Sequence, residues 1–343
     1  MNGHTNGANG AAGARVLSPG IFAPIPTFFA PDTEDLDLES FAAHVVRLAK
    51  ANVRPLVAGS MGEAVHLTHA ERTALIQTAR RALDDAGFAD MPIVAGTGTG
   101  STRETVELCH AAAAAGADFV IVITSGYFAG ALTRDALRAY FVEVADKSPL
   151  PVIVYNYPGA SGGLDLDSDL ITELAETCPN LCGVKLTCGN VGKLTRICAT
   201  VSEPGFAAAH PRKNPRAPFL VLGGFADFIL PSAFVNAHGA IIGLANVAPH
   251  ACARLFALSA AALADPSVLP EAQRLQGIVA RGDFTIAKAS IAGTKALLER
   301  LYGYGGAPRR PLLPTAPAAV QALWEHPHVQ ELVAAERALC GKQ

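Results

Sequence analysis

Lys185 is the residue whose type and surroundings point most directly to chemistry. It stands between Val184 and Leu186 in an apolar run, so a strand there would carry its side chain towards the protein interior. A lysine is almost never fully buried unless it is paired or takes part in a reaction. Desolvation disfavours the ammonium form and favours the neutral amine, which is a nucleophile for a carbonyl group. The alternative is an ordinary lysine whose ammonium reaches solvent from a strand end.

Two further polar residues follow other apolar runs. Tyr155 ends the run 151–155, and Ser60 lies in the Gly-rich turn 59–63. A phenol beside an amine nucleophile can shuttle protons while a carbinolamine forms and loses water. The alternatives are a strand tyrosine whose hydroxyl bonds a backbone group, and a serine that serves only the turn.

Eight short apolar runs alternate with longer stretches of helical periodicity. Continuous apolar character fits strands that are covered on both faces, as in a parallel sheet. Eight strands that each precede a helix indicate a (β/α)8 barrel, an α/β fold, rather than a doubly wound sheet, and such a barrel carries its active site at the carboxyl ends of the strands. The runs span 21–26, 55–58, 92–95, 119–124, 151–155, 184–187, 219–222 and 240–243, and helical patterns span 38–51, 101–115 (with a capping box of Ser101 and Glu104), 133–147 and 166–177.

The two ends of the chain differ from this alternating part. Residues 1–18 are rich in Gly, Asn and Ala, and we expect a disordered tail there. From residue 249 onward only helical patterns occur, at 249–264, 268–282, 284–302 and 316–340. The sequence therefore predicts a tail at 1–18, a barrel at 19–248 and a C-terminal helical extension at 249–343.

Composition excludes several classes of protein. Half of the 343 residues are hydrophobic and 17% are charged, which excludes disorder for most of the chain. A net charge of −3 argues against a nucleic-acid partner. The segment 228–253 has no charged residue, but Pro, Asn, His and Gly interrupt it. A buried strand with a flanking helix and loop is therefore favoured over a membrane span.

The cysteines and the first residues bear on location. Seven cysteines occur without a CxxC motif or a metal-type spacing, so we interpret them as small buried hydrophobic residues in a reducing compartment. The first 18 residues lack the apolar segment of a secretory signal and contain one arginine, which is too few for a transit peptide. We expect a cytoplasmic protein.

Three motifs in this order resemble those of the dihydrodipicolinate synthase/N-acetylneuraminate lyase superfamily. Its members are Schiff-base aldolases and lyases built on a (β/α)8 barrel with C-terminal helices, usually as homotetramers. The resemblance covers about residues 20–315. The motifs are the turn 59–63 (GSMGE), Tyr155-Asn156-x-Pro158 and Gly183-Val184-Lys185, on predicted strands two, five and six.

The resemblance implies a role for each matched residue. Lys185 would form an imine with the ketone of pyruvate, or of a 2-oxo acid that yields pyruvate. Tyr155 would be the general acid and base, and Ser60 would relay protons between Tyr155 and Tyr127, which would reach in from a neighbouring subunit of a homotetramer. The backbone N–H groups of Ser60 and Met61 would hold the substrate carboxylate. No metal or organic cofactor is implied.

Other positions are expected to bind substrate or to support the barrel. Gly59 and Thr187 flank Ser60 and Lys185, and the segment 243–247, which begins with Gly243 and Leu244, is expected to line the acceptor side of the pocket. The segment 303–312 is interpreted as a C-terminal helix turn that packs on the barrel, with Arg309 and Arg310 as solvated surface charges. The basic loop 203–218 either covers an anionic substrate or lies in solvent as a surface loop.

Departures from the family pattern narrow the branch. Ala160 stands where dihydrodipicolinate synthases have the arginine that grips a second carboxylate, so lysine biosynthesis is disfavoured. Met61 replaces a common Thr or Asn, which removes a hydroxyl near the carboxylate site. Phe128 stands where a second tyrosine often lies. The best match is to the 4-hydroxy-2-oxoglutarate aldolase and 2-keto-3-deoxy-sugar-acid (L-threo-3-deoxy-hexulosonate) aldolase branch.

The resemblance therefore implies a class I aldolase, a carbon–carbon lyase. It would cleave a 4-hydroxy-2-oxo acid, or a 2-keto-3-deoxy sugar acid of carbohydrate catabolism, to pyruvate and an aldehyde, glyoxylate or glyceraldehyde. Three alternatives remain open at this point. They are a Schiff-base dehydratase or decarboxylase, a condensing enzyme of the dihydrodipicolinate synthase type, and a non-catalytic protein that binds 2-oxo acids.

Overall fold

Eight parallel strands close into a barrel in the computed structural model, which describes residues 15–341. Each strand pairs with the next one in the sequence, and the last strand pairs with the first. The predicted (β/α)8 barrel is confirmed. The strands are β1 Gly20–Pro24, β2 Arg54–Val57, β3 Val94–Gly96, β4 Phe119–Ile123, β5 Val152–Asn156, β6 Leu181–Leu186, β7 Leu220–Gly223 and β8 Gly239–Ile241.

Helices α1 to α9 accompany the barrel, and most begin at a side chain that caps them. Ser101 accepts a hydrogen bond from the Glu104 N–H, as predicted, but Glu104 reaches His69 and Thr99 instead of closing a capping box. A complete capping box occurs at Thr68, before α2. The helices are α1 Leu38–Lys50, α2 His69–Asp85, α3 Thr102–Ala115, α4 Arg134–Lys147, α5 Ser168–Thr177, α6 Val191–Val201, α7 Phe206–Ala209, α8 Ile229–Ala233 and α9 Pro249–Ala261.

The segment 228–253 is the predicted buried strand with its neighbours. It contains α8, β8 and the start of α9. Across the described range 15–341, no helix is long and apolar enough to cross a membrane.

Two sets of apolar side chains hold the barrel together. The larger set lies between the strands and the surrounding helices. The smaller set fills the barrel lumen and includes Phe22, Leu56, Ile153 and Leu222. Tyr155 belongs to this inner set, so its ring is part of the packing at the top of the lumen.

The N-terminal end of the barrel corrects one expectation and decides between two alternatives for the loop 203–218. Leu17 is fully buried in the lumen set, and Arg15 pairs with Asp118, so residues 15–18 are packed rather than disordered. The prediction for residues 1–14 lies outside the described residues. In the loop 203–218, Arg212 donates to the Leu181 carbonyl, where β6 begins. The loop precedes β7, so it lies at the amino ends of the strands. It therefore does not cover a substrate that is bound at their carboxyl ends.

Four further helices follow the barrel, α10 Leu269–Ala287, α11 Ser290–Tyr302, α12 Pro317–Glu325 and α13 Pro327–Cys340. The single helical pattern predicted at 316–340 is two helices, because Pro327 has no N–H to donate and starts a new helix. Gly282 lets α10 approach α13 closely, since a Cβ there would lie 2.8 Å from Leu332. The division of the chain at residue 248 stays a prediction, and α9 packs on β1 as well as on α10.

The cysteines form no disulfide among the described residues. Five of the seven are buried, as expected. Cys188 is partly exposed and Cys340 is exposed, so the prediction of burial is wrong for Cys340, which lies in the last turn of α13.

A buried polar cluster joins the barrel to the segment 303–312. The Asn246 amide donates to the carbonyls of Pro24 and Gly243, so its oxygen accepts from His44 Nε2 at 2.9 Å. His44 Nδ1 then accepts from the Tyr304 hydroxyl at 3.1 Å. Burial, with the charge of Arg47, lowers the pKa of His44 to about 3. The histidine is therefore neutral in the folded protein.

This neutral histidine predicts an acid-dependent loss of stability. Below pH 6.5, His44 becomes protonated in the unfolded chain but stays neutral in the folded protein. The free energy of unfolding therefore falls as the pH falls towards 3. The slope from this group approaches about 1.4 kcal/mol per pH unit. We expect urea unfolding of wild type and His44→Gln at several pH values to show a gap that narrows from pH 7 to pH 4. Parallel curves for these two proteins would contradict the assignment, whereas the exposed control His110→Gln should run parallel to wild type.

Candidate active site

Lys185 and Tyr155 stand directly opposite each other on β6 and β5. The register shifts by one residue between Val152 and Ile153, and Gly183 allows β6 to approach β7, because a Cβ there would lie 2.5 Å from the Leu220 carbonyl oxygen. In a parallel pair, residues in register point to the same face, so both side chains enter the lumen. The Lys185 Nζ lies 4.0 Å from the centroid of the Tyr155 ring.

Lys185 differs from the other buried lysines of the described chain. Lys193 pairs with Asp165, and Lys295 pairs with Glu63. Lys185 is 5% exposed, yet no carboxylate between residues 15 and 341 pairs with it. Lys185 therefore remains the candidate nucleophile of the predicted site.

The turn 59–63 presents backbone N–H groups at the end of β2. It lies between Ala58 and Glu63, whose φ angles of 54° and 55° are left-handed. Glu63 N–H and Ala64 N–H bond the carbonyls of Ser60 and Gly59. The N–H groups of Ser60 and Met61 donate to no acceptor among residues 15–341. Free N–H groups in such a turn form a concavity that suits a carboxylate.

Two cavities meet at the Lys185 amine. The first has a volume of about 200 Å³ and is lined by residues of α10 and α11, so we call it the helix-side cavity. The second, the strand-side cavity, has about 360 Å³. Ser60, Tyr155, Tyr157 and Lys185 line both. An elongated substrate bound at Lys185 can therefore extend in either direction.

The predicted site residues lie at these cavities with one exception. Met61, Thr187, Gly243 and Leu244 line the helix-side cavity, and Gly59 lines the strand-side cavity, as does Ala160. The Thr187 hydroxyl is buried and has no hydrogen-bond partner among the described residues. The Met61 side chain packs on Gly243, where a Cβ would lie 2.8 Å from the methionine methyl group.

Tyr127 is the exception. It is 88% exposed, stacks edge to face on Phe128 and lines neither cavity of its own chain. Its predicted entry into the site of a neighbouring subunit stays a prediction.

The C-terminal helices form one wall of the helix-side cavity, which was not predicted from the sequence. Asp283 and Ile286 of α10 and Ser290, Ile291 and Thr294 of α11 line the helix-side cavity. Ser290 joins the two helices in a left-handed conformation, with a φ of 56°. Ser290 lies inside the predicted helical pattern 284–302, so nothing in the sequence indicates the break between α10 and α11.

Asp283 is the one carboxyl group at the described cavity walls. Its Oδ2 accepts from the Ala226 N–H at 2.7 Å. Burial raises the pKa of Asp283 to about 7, helped by the charge of Asp227 and opposed by the Ala226 hydrogen bond. The carboxyl group therefore titrates in the working range of an enzyme.

A buried ion pair holds the turn 59–63 against the C-terminal segment. Glu63 accepts from Lys295 Nζ at 3.0 Å and from the Arg309 N–H at 2.8 Å. The Arg309 guanidinium binds the Glu71 carboxylate and holds the pKa of Glu71 down at about 2. Arg309 is therefore not a solvated surface charge, and the segment 303–312 packs on the barrel as a loop rather than as a helix turn. Arg310 is exposed, as predicted.

Removal of one member of this pair is expected to cost stability. Lys295→Met leaves the fully buried Glu63 carboxylate without its ammonium, which costs about 3–5 kcal/mol of the free energy of unfolding. Urea denaturation measures this loss. The exposed pair of Lys147 and Glu143 provides the control, because Lys147→Met is expected to cost less than about 1 kcal/mol. Equal losses in the two variants would show that the buried pair is not holding the turn.

The barrel thus carries a buried lysine that faces a tyrosine at the carboxyl ends of its strands, where the sequence places the site. The chain belongs to the dihydrodipicolinate synthetase family, whose model matches residues 18–325. The predicted family is thereby confirmed.

The chain is similar in sequence or structure to three other proteins of this kind. It is 44% identical over 313 residues to the "L-threo-3-deoxy-hexylosonate aldolase" of Hypocrea jecorina, covering 90% of this chain and 95% of the relative. It is 42% identical to the "Probable 4-hydroxy-2-oxoglutarate aldolase, mitochondrial" of Emericella nidulans, covering 95% and 98%. A solved structure of a dihydrodipicolinate synthase family protein from Coccidioides immitis superposes with a TM-score of 0.78 at 36% identity, covering 95% and 99%.

Proposed function

We propose that this protein is a class I aldolase, a carbon–carbon lyase that cleaves a 4-hydroxy-2-oxo acid or a 2-keto-3-deoxy sugar acid to pyruvate and an aldehyde. The observation that carries the proposal is the buried Lys185, whose amine lies over Tyr155 with no carboxylate partner in the described chain. The relatives in Hypocrea jecorina and Emericella nidulans are both named as aldolases, which agrees with the predicted class of activity.

The imine makes carbon–carbon cleavage possible. The Lys185 amine attacks the C2 ketone, and the carbinolamine loses water to give a protonated imine. A base removes the C4 hydroxyl proton, the C3–C4 bond breaks, and its electron pair moves to the imine nitrogen as an enamine. The aldehyde leaves, C3 takes up a proton, and water returns to the imine to release pyruvate. The cationic nitrogen stabilises the charge that develops as the bond breaks.

Tyr155 is the proposed proton carrier. Its ring faces Lys185 and it lines both cavities, which supports a role for its hydroxyl in proton exchange with the carbinolamine and with the C4 hydroxyl. Burial raises the pKa of the neighbouring Tyr157, which is stacked on Tyr155, so Tyr157 stays protonated and serves as a donor. Ser60 also lines both cavities, which supports its proposed place between Tyr155 and Tyr127 in the relay.

The free N–H groups of Ser60 and Met61 are the proposed site for the C1 carboxylate. The Met61 side chain has no hydroxyl or amide group, which leaves the backbone as the main donor. We further propose a homotetramer in which Tyr127 completes the relay of a neighbouring subunit. The exposed aromatic pair of Tyr127 and Phe128 supports this, since an exposed aromatic pair suits burial at an interface.

Two predictions about the setting of the protein stay proposals. A cytoplasmic location is one of them, and the Emericella nidulans relative carries the word mitochondrial in its name. The other is that the site needs no metal or organic cofactor, because the imine itself is the electron sink.

Product analysis tests the proposed function. The purified protein is incubated with L-threo-3-deoxy-hexulosonate or with 4-hydroxy-2-oxoglutarate, and pyruvate and the aldehyde are measured separately. We expect equal amounts of pyruvate and aldehyde from one of these substrates. Release of carbon dioxide or water without an aldehyde would replace the aldolase with a decarboxylase or dehydratase.

A further inference from the structure

We propose that Asp283 binds the hydroxyl groups of the aldehyde half of the substrate, so that the site takes a neutral polyhydroxy aldehyde in preference to an anionic one. The inference rests on the proposed aldolase function and names its substrate class. It favours a sugar acid that yields glyceraldehyde over a dicarboxylic acid that yields glyoxylate.

The charges at the cavities are the first argument. Lys185 and Asp283 are the charged side chains that line the two cavities within the described chain. Lys185 forms the imine with C2, and the C1 carboxylate lies beside that imine. Lys185 is therefore not available to pair with a second carboxylate. Above the pKa of Asp283, a second carboxylate in the helix-side cavity would meet the ionised Asp283 and no further cation. Like charges brought together away from water cost several kcal/mol, so the dicarboxylic acid is disfavoured.

The remaining polar groups of the helix-side cavity suit hydroxyl groups. Thr187, Ser290 and Thr294 contribute hydroxyls to its wall, and the Thr187 hydroxyl is without a partner among residues 15–341. A sugar chain carries hydroxyls that both donate and accept, so it can satisfy these side chains and a carboxylate acceptor together.

The fold holds Asp283 in a fixed position. Oδ2 is taken by the Ala226 N–H at 2.7 Å, while Oδ1 has no hydrogen-bond partner among residues 15–341. Two turns earlier on α10, Gln276 accepts from the Leu230 N–H and donates to the Ala226 carbonyl. The side chains of Asp283 and Gln276 both bond α10 to the segment that follows β7. The free Oδ1 of Asp283 is therefore held in a fixed position.

The test compares two acceptor aldehydes in the condensation direction. With pyruvate in excess at pH 8, kcat/KM is measured for glyceraldehyde and for glyoxylate in wild type and in Asp283→Asn. The asparagine keeps the shape and can still accept from the Ala226 N–H. We expect wild type to prefer glyceraldehyde, and we expect the ratio of the two kcat/KM values to fall by about 10- to 100-fold in the variant, as for loss of a hydrogen bond to a charged group.

Asp227→Asn is the matched control. Asp227 is an exposed acid next to Ala226, and it lines neither cavity. We expect its ratio to equal that of wild type. Should Asp283→Asn fail to fold, Asp283→Ser is measured instead, with the same expected fall.

Three outcomes are informative. A fall in the ratio for the Asp283 variant alone supports the inference. An unchanged ratio, or a wild-type preference for glyoxylate, overturns it. Borohydride trapping of pyruvate on the same proteins distinguishes failure of this inference from failure of the aldolase proposal. An adduct in wild type and variant supports the aldolase proposal whatever the ratio. No adduct in wild type refutes the aldolase proposal.

Discussion

Lys185→Met is expected to lower kcat/KM for cleavage by about 10⁴-fold or more. Without the amine, no imine forms, and the electron pair of the breaking C3–C4 bond has no cationic nitrogen to enter. Removal of a covalent nucleophile costs this much in other enzymes because the remaining groups act only through it. Methionine fills a similar volume in the lumen, so the loss reflects chemistry rather than collapse of the barrel. The measurement is pyruvate release with a coupled assay.

Lys193→Met is the matched control for this loss. Lys193 is as buried as Lys185, but it pairs with Asp165 and lines neither cavity. The variant loses an ion pair whose carboxylate is 44% exposed, so it remains folded. We expect turnover at the wild-type level. Comparable activity in Lys185→Met and Lys193→Met would remove Lys185 from the mechanism.

Tyr155→Phe carries the second-largest expected effect, a fall in kcat of about 10²- to 10⁴-fold, the range for loss of a general acid or base. The ring remains against Lys185, so substrate binding and the lumen packing are retained. KM is therefore expected to change little, and the imine still forms, but slowly. Steady-state kinetics measure kcat and KM, and a time course of borohydride trapping measures imine formation.

Tyr140→Phe controls for the loss of a buried phenol. Tyr140 lies in α4, its hydroxyl lies 3.1 Å from the Thr105 hydroxyl, and it lines neither cavity. We expect its kcat to match wild type. A Tyr155→Phe variant with full kcat would contradict the proposed proton route while leaving the imine in place.

Much of the barrel could be predicted because its strands are buried on both faces. Each strand therefore appears as a continuous apolar run, and all eight runs overlap an observed strand. Lys185 could be identified for the same reason, since a lysine inside such a run is conspicuous. The position of the loop 203–218 could also have been deduced, because a segment that precedes a strand lies at the amino end of the barrel.

The wall formed by the C-terminal helices could not be predicted in this way. Asp283 lies between Gly282 and Phe284 on an amphipathic helix, where an acidic residue usually faces solvent. Its burial follows from the docking of α10 on the loop after β7, which is a tertiary contact across 57 residues. Lys295 and Glu63 are 232 residues apart, so each appears in the sequence as an ordinary surface charge.

The most direct test of the account is borohydride reduction in the presence of pyruvate, followed by intact-mass measurement and peptide mapping. We expect one reduced pyruvyl adduct per chain, on the peptide that contains Lys185, and no adduct in Lys185→Met. An adduct on another lysine, or none on the wild-type protein, would contradict the imine at Lys185 and with it the aldolase assignment.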